Sequence, residues 1–204
     1  MQSDLLFIRR KALAFIGCAL FLAAMMGVVF IDVRWMNDGV HETSFTEIAQ
    51  ELMLLAIALL YFHGAYRQPA IRPTLILIGG FFTCMLIREL DFLFDELSHG
   101  SWVWFALATA AACVAIAVLQ PKRAVKGLAD LLRHPAWGML CAGLLTILVF
   151  ARLFGMRDLW QHLMLDGYNH TVKNMAEEGC ELLGYSLCLL ASLGYLYGDR
   201  AKAE

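Results

Sequence analysis

The chain has 204 residues, 60% of them hydrophobic, and a formal net charge of −2. Several long apolar runs at that composition exclude a soluble domain, and the length holds one helical bundle with no separate soluble unit. The near-neutral balance, with no basic-aromatic groove, argues against nucleic acid and leaves the lipid bilayer as the expected partner; a protein partner or a homo-oligomer is not legible.

The expected fold is all-α, a single polytopic domain of six transmembrane helices with short interfacial helices. The apolar runs fall near 12–31, 47–66, 74–94, 102–119, 137–154 and 177–197, each close to the roughly 20 residues a helix needs to cross. Arg9, Arg10 and Lys11 precede the first run, which is longer than the roughly 7–15 residues of a secretory signal core, so it reads as an uncleaved anchor. Pro73, Pro121 and Pro135 punctuate the links between runs, as helix breakers should. All six cysteines (Cys18, Cys84, Cys113, Cys141, Cys180, Cys188) lie within apolar runs without CxxC or CxxCH spacing. Core packing explains them better than disulfides, structural zinc or covalent haem.

Orientation follows from the basic residues. Arg9, Arg10, Lys11, Arg67, Arg72, Lys122, Arg123, Lys126, Arg133, Arg200 and Lys202 all fall on the side of the N-terminus. That asymmetry predicts both termini in the cytoplasm of a multi-pass inner (plasma) membrane protein. Trp35, Trp102, Trp104 and Trp160 cluster at the opposite boundary, as an interfacial belt would.

Within the third run the stretch 88–99 brings charge before a crossing is complete. On one continuous helix Arg88, Asp91, Asp95 and His99 share a face, and Arg88 is positioned to pair with Asp91. A charge at mid-membrane costs about 2.5–3.5 kcal/mol on insertion scales, so such groups usually meet a partner or a wet cavity. Further on, 122–134 spaces Val125, Leu128, Leu131 and Leu132 as a basic amphipathic helix on the inner surface. Residues 156–165, with Leu159, Trp160 and Leu163, read as an interfacial segment that lids the outer end of the bundle.

The second and sixth runs open alike. Asp38-Gly39-Val40-His41-Glu42-Thr43 leads into Glu47 and Glu51, and Asp166-Gly167-Tyr168-Asn169-His170-Thr171 leads into Glu177, Glu178 and Glu181. Both runs go from outside to inside, so any symmetry axis lies along the membrane normal.

These pieces converge on one depth. Glu47, Glu51, Glu89, Asp91, Glu177, Glu178 and Glu181 outnumber the deep basic partners Arg88 and Arg152, so the surplus must face water, hold protons or hold a cation. The candidate metal ligands are Glu47, Glu51, Asp91, Asp95, Glu178, Glu181, His41, His99 and His170, with Arg88 and Arg152 as charge partners. Such an oxygen-dominated shell suits Mg, Ca, Mn or Fe better than structural Zn. No haem motif appears, because His63 and His134 fall on the cytoplasmic side. Three functions fit: a metal-dependent enzyme on an outer-leaflet or periplasmic substrate, with Glu51, Glu178 and Glu181 as ligands or general base; a proton- or cation-coupled carrier; and a non-catalytic scaffold or sensor subunit. Few ionisable groups in the inner halves of the spans count against the carrier.

Overall fold

A computed structural model describes residues 1–35, 44–96 and 98–198 of the chain. Among them every regular element is helical: α1 (Gln2–Trp35), α2 (Phe45–Arg67), α3 (Arg72–Glu89), α4 (Asp91–Asp95), α5 (Trp102–Leu119), α6 (Pro121–Arg133), α7 (Ala136–Leu145), a π-helical stretch (Thr146–Ala151), α8 (Arg152–Phe154), α9 (Arg157–Met164), a 3-10 turn (Leu165–Gly167) and α10 (His170–Tyr197). Five segments are long and apolar enough to cross a membrane: Gln2–Arg34, Phe45–Arg67, Trp102–Leu119, Ala136–Phe154 and His170–Tyr197. The sixth expected run is α3, whose 18 residues carry Arg72 at one end and Arg88 and Glu89 at the other.

The sequence explains where these helices begin. Pro73 occupies the first turn of α3 and Pro121 that of α6, where the missing N–H costs nothing, and Pro135 is the N-cap of α7. Ser44 caps α2 by accepting the Glu47 amide at 3.1 Å, and Asn169 caps α10 by accepting the Thr171 amide at 2.8 Å.

Contacts fix the running directions. Gly79 lies against Phe62 and Gly64 against Leu75, so α2 and α3 form an antiparallel hairpin. Gly80 meets Cys113, and the Cys84 thiol donates to the Ala106 carbonyl at 3.3 Å, so α5 runs back along α3. Gln50 meets Glu178, Tyr61 meets Ser192 and Gly64 meets Leu196, so α2 and α10 run parallel. At the crossing of α7 and α10 the backbones nearly touch: a Cβ on Gly143 would stand 2.8 Å from the Gly184 carbonyl oxygen. Only glycine permits that approach.

The core sits between α2, α3, α7 and α10, built on Leu54, Ile57, Tyr61, Leu75, Phe82, Leu182 and Tyr185. The exterior is unlike that of a soluble protein. Leu20, Met26, Phe30, Leu52, Leu107, Val118 and Leu148 are exposed, which is the surface a bilayer solvates. α6 docks on α3 through Gly127, which sits on Thr74 and Ile71, and the Thr74 hydroxyl donates to the Ala124 carbonyl at 2.9 Å. Val125, Leu128 and Leu132 remain exposed beside exposed Lys122, Arg123 and Lys126, the amphipathic pattern expected of this helix.

Three expectations change. The stretch 88–99 is not one helix: α3 stops at Glu89 and α4 starts at Asp91, so Arg88, Asp91, Asp95 and His99 do not share a face. The chain must turn there to enter α5, and Gly100 at φ +75° makes the turn, its amide held by the Asp95 carboxylate at 2.7 Å. The last helix starts at His170, seven residues before its apolar run, because Asn169 caps it there. The two similar openings also differ in form, since α2 starts two residues before Glu47; Asp38 to Thr43, including His41, lie outside the described residues.

Candidate functional site

The charged groups collect where the end of α3 meets the starts of α2 and α10. The junction is held by a residue with no earlier claim to attention. Asp32, in the last turn of α1 and 3% exposed, accepts the amides of Phe45 at 2.9 Å and Thr46 at 2.7 Å, and also the Thr46 hydroxyl. A carboxylate on the first amides of a helix satisfies orphan donors and complements the positive end of the dipole. Its sequence signal is an acid in the last turn of one apolar run, with Ser-x-Thr opening the next.

A pocket of about 100 Å³ opens beside this joint, lined by Glu47, Gln50, Glu51, Arg88, Glu89, Asp91 and Phe92. Its walls carry four carboxylates and one guanidinium. Arg88 does not pair with Asp91 as its spacing suggested. Its Nη1 donates to Glu89 Oε1 at 2.9 Å, because the break at Leu90 turns Asp91 away from it. The same Glu89 oxygen accepts the Tyr185 hydroxyl at 2.8 Å.

Behind the pocket lies a second layer. The Gln50 side-chain amide donates to the Glu178 carbonyl at 3.1 Å and to its carboxylate at 3.0 Å. Glu181 is 2% exposed, and its Oε1 stands 2.7 Å from Arg152 Nη2. That contact is electrostatic rather than an aligned hydrogen bond, since the oxygen makes none. Arg152 also reaches Glu177 Oε1 at 3.3 Å, while Lys173 pairs with the other Glu177 oxygen. Arg152 thus serves two glutamates. The π-helical stretch directly before it is the local reason: widening the turn re-aims the following residues, and such bulges recur at functional positions.

The structure therefore divides the expected ligands. Glu47, Glu51 and Asp91 line the pocket, while Glu178 and Glu181 stand behind it. Asp95 and His99 pair with each other at 3.0 Å in an exposed turn, and His170 is exposed at the start of α10. Among the described residues no three His, Cys, Asp or Glu converge as metal ligands. Helix α9 contributes nothing to the pocket walls either. Trp160 donates its indole N–H to the Phe154 carbonyl at 2.7 Å and packs edge-on against the Phe154 ring, so the segment is seated on the end of α8. Sequence reasoning overlooked Gln50, Tyr185 and Asp32, and assigned Glu89 no ligand role. Compared with protein-family models, curated proteins and solved structures, the chain matches none.

Proposed function

We propose that the chain is a six-span inner-membrane carrier with both termini cytoplasmic, and that it captures a cation in the outer pocket between α2 and α3. One observation carries this reading: four carboxylates and a single arginine line one small pocket at one end of the bundle. In a poorly hydrated setting, surplus negative charge draws a counter-cation. The running directions support six crossings, with α3 completing the alternation between α2 and α5. The basic residues of α6 and of both termini support the cytoplasmic assignment.

The pocket's donors are carboxylates and the Gln50 amide. Oxygen donors of this kind favour a hard cation that keeps part of its water, in the manner of Mg, Ca or Mn. Glu51, Glu89 and Asp91 would supply the charge, with Arg88 keeping Glu89 in place. The metal-dependent enzyme reading draws less support, since His99 is engaged with Asp95 and His170 stands away from the pocket walls. The carrier gains from the hydroxyl groups of Tyr61, Ser186 and Ser192, buried in spans whose inner halves hold few ionisable groups.

Mn²⁺ titrated into the purified protein and followed by electron paramagnetic resonance tests the reading. Saturable binding, competed by Mg²⁺ and lost in Glu51→Gln and in Glu89→Gln, supports it. Binding that survives both substitutions, or is absent from the native protein, sinks it.

A further inference from the structure

A groove of about 210 Å³ lies between α3 and α7, at the end of the bundle where α6 docks. The packing explains it. α2 and α10 lie side by side, α3 rests on α2 and α7 rests on α10, so α3 and α7 flank the central pair. α6 ties their starts together: Thr74 and Gly127 join it to α3, and His134 and Pro135 lead it straight into α7. Between them runs a channel floored by buried Phe82, Leu131 and Leu140, with exposed Phe81 and Leu128 on its rim. Every side chain that lines it is leucine, isoleucine, phenylalanine or tryptophan. From Trp137 to Leu144 it follows seven residues of α7, about 10 Å of helix.

One end of this apolar channel is charged. α6 carries Lys122, Arg123, Lys126 and Arg133, all exposed, against Asp130 alone. Lys126 and Arg133 bracket Leu128 and Leu131, the two residues that α6 gives to the groove. Trp137, in the first turn of α7, also lines the groove, and its indole N–H makes no hydrogen bond among the described residues. Tryptophan at the end of a span belongs at headgroup level, its ring in hydrocarbon and its N–H toward polar oxygen. Hydrocarbon along the channel and cations at one end are the complement of an acyl chain with an anionic headgroup. A second copy seated on the same face would bring its own α6 alongside, four cations against four, and like charge opposes that contact. An uncharged lipid would fill the channel and leave the cations without a counter-charge.

We propose that the groove holds one acyl chain of an anionic phospholipid from the leaflet at the α6 end, with its phosphate against Lys126 and Arg133. Basic pockets between membrane helices bind such headgroups. The site lies at the opposite end of α3 from Arg88 and Glu89, so it is independent of the cation pocket.

The test is quenching of tryptophan fluorescence by brominated lipid, with the full chain in phosphatidylcholine vesicles. A minor fraction of the lipid is either phosphatidylglycerol or phosphatidylcholine, brominated midway along its acyl chains. Brominated phosphatidylglycerol should quench more at equal fraction and saturate early, and the excess should vanish in Trp137→Phe. Removing two near-surface cations, in Lys126→Gln with Arg133→Gln, should cut the preference for phosphatidylglycerol at least tenfold. Both of those positions are exposed, so this variant and the native protein decide the matter even where Trp137→Phe does not fold. Equal quenching by the two lipids overturns the site. So does a preference that survives the glutamine substitutions, or an excess that persists in folded Trp137→Phe. Loss of quenching at Trp137 by either lipid would mean that protein covers the groove, which overturns it as well.

Discussion

Replacing Arg152 with leucine isolates the electrostatics behind the pocket. The guanidinium stands 2.7 Å from Glu181 and 3.3 Å from Glu177. Glu177 keeps Lys173 as a partner, whereas Glu181, 2% exposed, loses its closest cation. Breaking a buried pair from one side costs about 3–5 kcal/mol. The Arg152 side chain is 40% exposed, so solvent already screens part of the pair and about 2 kcal/mol is the better figure. At about 2–4 °C per kcal/mol for a chain of this size, Arg152→Leu should melt about 4–8 °C below the native protein. Adding Glu181→Leu removes the stranded charge, and the double variant should regain most of that loss. Thermal unfolding in detergent, followed by circular dichroism, reads both values. A single variant that melts with the native protein refutes the reasoning, as does a double variant that melts below the single.

Other substitutions test the joints of the bundle. Asp32→Ala strips two amides and a hydroxyl of their acceptor at the start of α2, and should lower stability by about 1–2 kcal/mol in the same melt, with Asp32→Asn in between. Gly143→Ala and Gly184→Ala force apart backbones already in contact and should each cost about 1–3 kcal/mol; Gly17→Ala, with nothing within 4 Å of the new methyl, should leave the melt unchanged or slightly higher. Trp160→Phe loses the bond to the Phe154 carbonyl and about 1 kcal/mol, yet Mn²⁺ binding should stay at the native level because α9 lines no part of the pocket.

How much of this was legible depended on whether local chemistry fixed the outcome. The run 102–119 is matched residue for residue by α5, because a glycine turn precedes it and Gln120-Pro121 ends it. The meeting of charges at one end was also legible, since Glu51, Arg88, Arg152 and Glu181 lie at equivalent ends of alternating runs. Their partners were not. Spacing offered Arg88 an acid three residues on, but the break at Leu90 depends on where α5 must begin, and that is a tertiary demand. Tyr185, Cys188 and Ser192 sat within a run read as apolar, and only the packing of α10 against α3, α7 and α2 shows what each of them touches. Asp32 escaped notice because two of its three donors are the backbone amides of Phe45 and Thr46, which every residue but proline carries.

The contact between Gln50 and Glu178 bridges 128 residues of chain. At about 5–20 residues per second, a ribosome needs roughly 6–25 s to reach Glu178 after making Gln50. Through that interval the second helix waits in the bilayer with its half of the polar core unmatched by the last. The polar interior is thus closed only when α10 arrives, and helices made before it lack the partners that α10 brings to Gln50 and Tyr61.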